Sequence, residues 1–210
     1  MAGRGLFITF EGVEGAGKSS QIRRLVGSLE EDGVSVFVTR EPGGTAISER
    51  IRELLLERRH RKMVSTTELL LYAAARSQHV AECIAPALEE GRVVISDRFG
   101  DATTAYQGHG RGLDLELIHR LNNVATGGLV PDLTIVLDVP VKVGLGRARR
   151  RRRSMDRLEI ENLEFHQRVR QGYLAIAKQE PNRVTVINSR RHPKRVHGEI
   201  RDLVNQRMSS

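Results

Sequence analysis

The residues Gly12-Val13-Glu14-Gly15-Ala16-Gly17-Lys18-Ser19 fit the spacing G-x-x-x-x-G-K-[ST]. That spacing is the P-loop pattern and suits the phosphates of a nucleotide. Glycines let the backbone curl until successive N–H groups point inward at phosphate oxygens. Lys18 adds a point charge at the β- and γ-phosphates, and the Ser19 hydroxyl is placed to ligate Mg²⁺. Further along, Asp97-Arg98 follows the apolar run Val93-Val94-Ile95-Ser96. An aspartate there can hold Mg²⁺ through water, and the arginine is placed to grip a second phosphate; the plain alternative is a strand-end salt bridge. Tyr72 and Arg76 share a helix face, where a ring beside a bidentate donor can hold a base; the plain alternative is a core tyrosine and a surface arginine. Arg40-Glu41-Pro42-Gly43-Gly44-Thr45 is a turn whose glycines allow close approach of a ligand. The run Arg149-Arg150-Arg151-Arg152-Arg153 suits a mobile lid that folds its charge onto transferring phosphates. The alternatives are a solvated cluster or a nucleic-acid patch, and no aromatic residue interleaves the run as a patch would want.

These groups need elements to hold them. Leu6 to Phe10 is a short β-favouring run just before the glycine loop, and Ile22, Leu25, Val26 and Leu29 follow at helical spacing. Strand, loop and helix in that order turn the helix N-terminus toward the phosphates. Four further strands are expected over Val34–Val38, Arg92–Ser96, Leu133–Leu137 and Val184–Ile187. Helices are expected over Ser19–Asp32, Ala46–Arg58, a long span from Ser65 to Glu90, Asp114–Ala125, from Pro140 into the arginine run, Glu159–Gln179 and Pro193–Arg207. Ile47, Ile51, Leu54 and Leu55 are expected on one packed face. Ser65-Thr66-Thr67-Glu68 has the form of a capping box, and Gly108-His109-Gly110-Arg111-Gly112 reads as a glycine-rich loop. Five apolar strands separated by helices predict an α/β fold, a parallel sheet covered on both faces. Ligands in such sheets bind at the C-terminal strand ends, where the chemical groups fall.

A chain of 210 residues with 39% apolar side chains is long enough for one α/β domain with a real core. Its net charge of +8 suits acidic partners, nucleotides as much as nucleic acid. The single cysteine, Cys83, excludes a disulfide framework and a cysteine-based zinc site, and its apolar helical setting predicts inert core. No apolar run reaches membrane-spanning length, and Met1–Gly5 is too short for a signal peptide, so a cytoplasmic location is expected.

Taken together, FEGVEGAGKS, TREPGGT, YAAARSQ, SDRF, AYQGHGRG, LDV and the RAR…DRLE of the lid resemble the thymidylate kinase family, in the bacterial type with an arginine-rich lid. The resemblance runs from about Leu6 to the last helix. It implies a P-loop NTPase fold of the nucleoside monophosphate kinase kind, one domain over residues 1–210 with a lid at about 147–157. It implies transfer of a phosphoryl group from ATP to dTMP with Mg²⁺, in dTTP synthesis, by a homodimer joined through the long helices with no stable nucleic-acid partner. By this resemblance the acidic residue Glu14 lies near the dTMP sugar, and Arg40 and Arg98 approach its phosphate. Tyr72 stacks on thymine, Arg76 reaches a thymine carbonyl, Thr103 and Gln107 complete the base pocket, and Tyr106 sits where a 2′-hydroxyl would intrude. The P-loop itself carries no arginine, so the lid is the expected source of catalytic charge. If the lid is helical, Arg149 and Arg153 share a face; if it is irregular, Arg151 and Arg153 converge. Both arrangements include Arg153. The chain departs from the family pattern in Tyr72, where Phe is common, in Ala102, where Ser is common, and in a lid one residue longer. The rival readings are another nucleoside monophosphate or deoxynucleoside kinase, separated only by the base pocket, and a nucleotide-dependent switch or nucleic-acid-binding protein using the arginine run; a GTPase switch would want an N-K-x-D that the chain lacks.

Overall fold

The computed structural model describes residues 4–151 and 156–209. Strands and helices alternate: β1 (Phe7–Glu11), α1 (Lys18–Glu31), β2 (Val36–Arg40), α2 (Ala46–Leu56), α3 (Ser65–His79), α4 (Ala85–Glu89), β3 (Val93–Asp97) and α5 (Gly100–Thr103). The chain continues through α6 (Leu115–Thr126), β4 (Leu133–Asp138), α7 (Val141–Arg151), α8 (Leu163–Gln179), β5 (Val184–Asn188) and α9 (Pro193–Met208). All strand pairs are parallel, in the order β2-β3-β1-β4-β5. β1 is buried at every position, and β3 and β4 at all but the last. Such strands read as apolar runs rather than alternations because helices cover both faces. α1 packs on α9, and α8 packs on residues 104–110. Leu25 of α1, Val169 of α8 and the strand residues Ile8, Phe10, Ile95 and Ile135 form one core. Each such side chain stabilises the fold by roughly 1.5–3 kcal/mol through burial. The chain leaving β1 runs to β2 on one side, and the chain leaving β3 runs to β4 on the other. That divergence opens a crevice at the strands' C-terminal ends.

Several expectations are corrected. The long helix is not uniform: a π-helical stretch, Val80–Ile84, separates α3 from α4. Pro86 follows it, lacks an N–H and would crowd the Glu82 carbonyl in a regular helix, so the change of pitch has a cause. The first part of the expected glycine loop is helical, because Thr104–Gly110 is a second π-helical stretch, whereas Arg111 and Gly112 lie beyond it, Gly112 with φ +76°. A Cβ on Gly110 would lie 2.7 Å from the Phe165 ring, so that glycine serves close packing against α8. The capping box does not form. α3 starts behind Val64 with no side-chain cap, and Glu68 turns inward to buried donors. α8 starts at Leu163, later than expected, because Asn162 caps it and Asp156 Oδ1 folds residues 156–159 into a turn by accepting from the Leu158 and Glu159 N–H groups. Cys83 is half-buried, with Sγ 3.5 Å from the Gly44 carbonyl, rather than in the core. Ile47 and Leu54 of α2 are exposed, and only Leu55 of that face is fully buried.

Candidate active site

The glycine loop is shaped by its neighbours. Gly15 has φ +70°, and a Cβ there would lie 2.0 Å from the Gly144 carbonyl of α7. Gly12 has φ +127° and leaves only 2.4 Å between such a Cβ and the Leu137 carbonyl. The loop is therefore pressed between the end of β4 and α7. Lys18 is buried and donates from Nζ to the Gly12 carbonyl at 3.1 Å. Burial lowers its pKa, and the Arg98 charge acts in the same direction. No side chain caps α1, so its first N–H groups remain for an anion. Ser19 Oγ lies 3.4 Å from Asp97 Oδ2, which joins the loop to the end of β3.

Arg98 follows Asp97 with φ +76°, a backbone conformation that side chains seldom adopt. Three bonds hold its head: Nη2 donates to Glu14 Oε1 at 2.6 Å and to the Tyr106 hydroxyl at 3.0 Å, and Nη1 donates to the Tyr173 hydroxyl at 2.9 Å. The guanidinium lies 4.8 Å from the centre of the Tyr106 ring. Tyr106 in turn donates to Glu14 Oε1 at 3.1 Å. Tyr173 donates to Glu11 Oε2 at 2.7 Å, and Glu11 Oε1 accepts from the Phe99 N–H at 2.7 Å. Full burial pushes the Glu11 carboxyl up to about 7, against the opposing pull of Arg98 and the Tyr173 hydrogen bond.

The other wall is built on α3 and residues 99–107. Arg76 is 2% exposed, which excludes the surface-arginine reading. Nε donates to Glu41 Oε2 at 2.8 Å, Nη1 to Asn122 Oδ1 at 2.7 Å, and Nη2 to the Phe99 carbonyl and Thr103 Oγ1, both at 3.0 Å. A guanidinium has five N–H donors, so one on Nη1 is left. Glu41 also meets His79 Nδ1 at 3.1 Å. Tyr72 is half-buried on the same helix. Gln107 is 1% exposed and donates from Nε2 to Glu68 Oε1 at 2.8 Å. Glu68 further accepts from Arg111 and pairs with Arg157 at 2.5 Å. Burial raises its pKa, but the hydrogen bonds from Arg111 and Gln107 and the charges of Arg111 and Arg157 outweigh that and hold the carboxyl below its usual range.

A cleft of about 310 Å³ joins these walls. Glu14, Gly15, Ala16, Gly17, Lys18 and Ser19 line it, together with Arg40, Tyr72, Arg76, Asp97, Arg98, Thr103, Tyr106 and Gln107. Gly12 and Val13 are buried at the base of the loop. Arg40 stands at the rim, half-exposed, with Nη2 bonded to both carboxylate oxygens of Glu49 at 2.9 Å. Of the lid arginines, Arg149 is exposed on α7 and is not among the lining residues. Arg151 ends that helix, and Arg153 lies outside the described residues. Ala102, at the position where the base loop departs from the family pattern, lines the cleft beside Thr103. Sequence reasoning missed Arg52, Asp156 and Glu159, which also line the cleft, and the supporting residues Glu11, Glu68 and Tyr173. Glu68 carried a signal, an acid four residues before Tyr72, but it was absorbed into the capping reading. Tyr173 carried none, because 162 residues separate it from Glu11.

Comparison with known proteins gives a consistent result. A family model described as thymidylate kinase matches residues 10–200. A thymidylate kinase of Geobacter sulfurreducens is 58% identical over 189 residues, covering 88% of this chain and 89% of that protein. One from Trichlorobacter lovleyi is 50% identical over 209 residues, 97% of this chain and 99% of the relative. A crystal structure of thymidylate kinase from Ehrlichia chaffeensis superposes with a TM-score of 0.79 at 37% identity, covering 96% of this chain and 99% of that one. With the P-loop, the Asp97-Arg98 strand end and the base-side wall in one cleft, the chain belongs to the thymidylate kinase family.

Proposed function

We infer that this chain transfers the γ-phosphoryl group of ATP to a phosphate oxygen of dTMP, giving ADP and dTDP. The observation that carries this reading is one cleft with a phosphate loop at one end and Tyr72, Arg76, Thr103 and Gln107 at the other, bridged by Arg98. The acceptor is already an anionic oxygen, so no strong general base is required; positioning and charge stabilisation do the work.

In this reading Gly12 to Ser19 hold the ATP phosphates, with Lys18 at the β- and γ-phosphates. Ser19 Oγ and Asp97 Oδ2, 3.4 Å apart, supply a hydroxyl and a carboxylate suited to Mg²⁺, directly and through water. The cation would neutralise charge on the donor phosphates. Arg98 grips the dTMP phosphate, held in place by Glu14, Tyr106 and Tyr173. Arg40 joins it from the rim by sharing or leaving Glu49. Tyr72 lies against the thymine ring, the remaining Arg76 N–H meets a thymine carbonyl, and Thr103 and Gln107 close the pocket. Tyr106 crowds C2′ of the sugar, and Glu14 lies beside it. The lid arginines, with Arg153 first and Arg149 and Arg151 behind it, bring charge to the transferring group on closure. Residues 1–210 act as one domain with its arginine lid at about 147–157, in a homodimer free in the cytoplasm, and no described helix is long and apolar enough to cross a membrane.

The test is ADP release with dTMP, dUMP, dCMP and dGMP offered separately. Cytosine presents an amino group where thymine has O4, so a donor faces the Arg76 donor. That mismatch exceeds a missing methyl, worth ~1–3 kcal/mol. The expected order of kcat/KM is dTMP, dUMP, then dCMP far behind. Equal use of dCMP and dTMP would overturn the base pocket.

A further inference from the structure

We propose that Glu68 is a positioning residue for base selection: by accepting from Gln107 Nε2 it turns the Gln107 carbonyl oxygen toward the base and so restricts the site to pyrimidines that carry a proton on N3. The inference deepens the dTMP kinase reading and rests on it.

A glutamine amide is two-faced. Free to rotate, it offers a donor or an acceptor to a ligand and discriminates little. Here one end is committed. Glu68 is 1% exposed and is gripped by two arginines. Arg111 donates to both of its oxygens, at 3.2 Å each, and is anchored in turn by Glu161 at 2.7 Å. Arg157, 5% exposed, pairs with Oε2 and also donates to the Leu55 carbonyl at 2.8 Å. An ionised carboxylate only accepts, so the amide NH₂ of Gln107 must face it. The carbonyl oxygen is then the free end, on a residue that lines the cleft beside Thr103 and Tyr106. Thymine and uracil present N3–H, a donor that this oxygen accepts. Cytosine presents an N3 lone pair, and acceptor would face acceptor. Reversing the amide to suit cytosine would aim its carbonyl at the Glu68 carboxylate. Glu68 thus acts through Gln107.

The experiment compares kcat/KM for dTMP, dUMP and dCMP in wild type, Glu68→Gln and Glu68→Asp, each checked for folding. A glutamine at 68 accepts or donates, so the Gln107 amide loses its fixed sense. The dCMP-to-dTMP ratio should rise at least ~10-fold, the scale of one relieved hydrogen-bond mismatch. The dUMP-to-dTMP ratio should stay within about twofold, because both bases keep N3–H and differ only by a methyl. Glu68→Asp retains the charge facing Arg111 and Arg157, which protects the fold, but draws the carboxylate back from Gln107; it should shift the ratio in the same direction. A folded variant that loses activity on all three nucleotides in proportion would show that Glu68 only ties helices together, and would overturn the inference. A wild type with no preference for dTMP over dCMP would overturn the underlying reading, and this inference with it.

Discussion

Replacing Glu11 with glutamine should change how stability depends on pH. The carboxyl is fully buried at the end of β1 and its pKa is raised from 4.5 to about 7, chiefly by desolvation. A group whose folded pKa lies above its unfolded one binds its proton more tightly in the folded chain. Stability is therefore greatest below the unfolded value and falls as pH rises through the folded one. A displacement of 2.5 pH units corresponds to about 3 kcal/mol, lost between roughly pH 4.5 and pH 7 and constant above that. Glutamine cannot ionise, so the variant lacks this slope. It also changes the hydrogen bond with Tyr173, but that offset does not depend on pH. His166 contributes with the opposite sign, since burial lowers its pKa and stability is lost as pH falls; it is present in both proteins and cancels in the difference. The assay is urea unfolding of both proteins at pH 5, 6, 7 and 8. The wild type should lose stability relative to the variant by about 2 to 3 kcal/mol across that range, since the first part of the loss falls below pH 5. Stability curves that run parallel from pH 5 to pH 8 would refute the buried, protonatable carboxyl.

Other consequences are equally direct. Lys18→Ala should reduce kcat at least ~100-fold, the scale of one lost electrostatic donor, with thermal unfolding little changed; near-normal turnover in the folded variant would remove Lys18 from the mechanism. Tyr106→Ala should narrow the preference for dTMP over the ribonucleotide mainly by improving the latter, while Tyr106→Phe, which keeps the ring, should preserve the preference. An equal loss on both substrates in Tyr106→Ala would replace steric exclusion with packing. In a single-alanine scan of residues 147–153, one or two positions should lose kcat by ~10³-fold or more with KM values nearly unchanged. A uniform small loss at every position would mean diffuse attraction of ATP rather than a lid.

Much of this was legible in the chain. The P-loop announces itself through spacing and flanks, and the buried strands through apolar runs, because both depend on neighbours in sequence. Tyr72 and Arg76 were readable as a face, since helical geometry is local. What lay beyond reach depends on tertiary partners. Arg76 was ambiguous until Glu41, Asn122, the Phe99 carbonyl and Thr103 were seen to claim four of its donors. Glu68 looked like a cap because Ser65 stands three residues before it, yet Gln107, Arg111 and Arg157 outweigh the open N-terminus of a single helix. The glycines at 108, 110 and 112 looked like a loop because flexibility and close packing use the same residue; Leu115 against Gly108 and the Phe165 ring against Gly110 decide for packing there, while Gly112, with φ +76° and open space, keeps the loop role.

The central claim is that phosphate leaves ATP for dTMP and not for water. Phosphorus NMR of the full chain with ATP, dTMP and Mg²⁺ tests it directly, because the β-phosphorus of dTDP is distinct from free phosphate. The account predicts that dTDP and ADP grow together in equal amounts with no inorganic phosphate. ADP appearing with free phosphate, and dTMP unchanged, would contradict it.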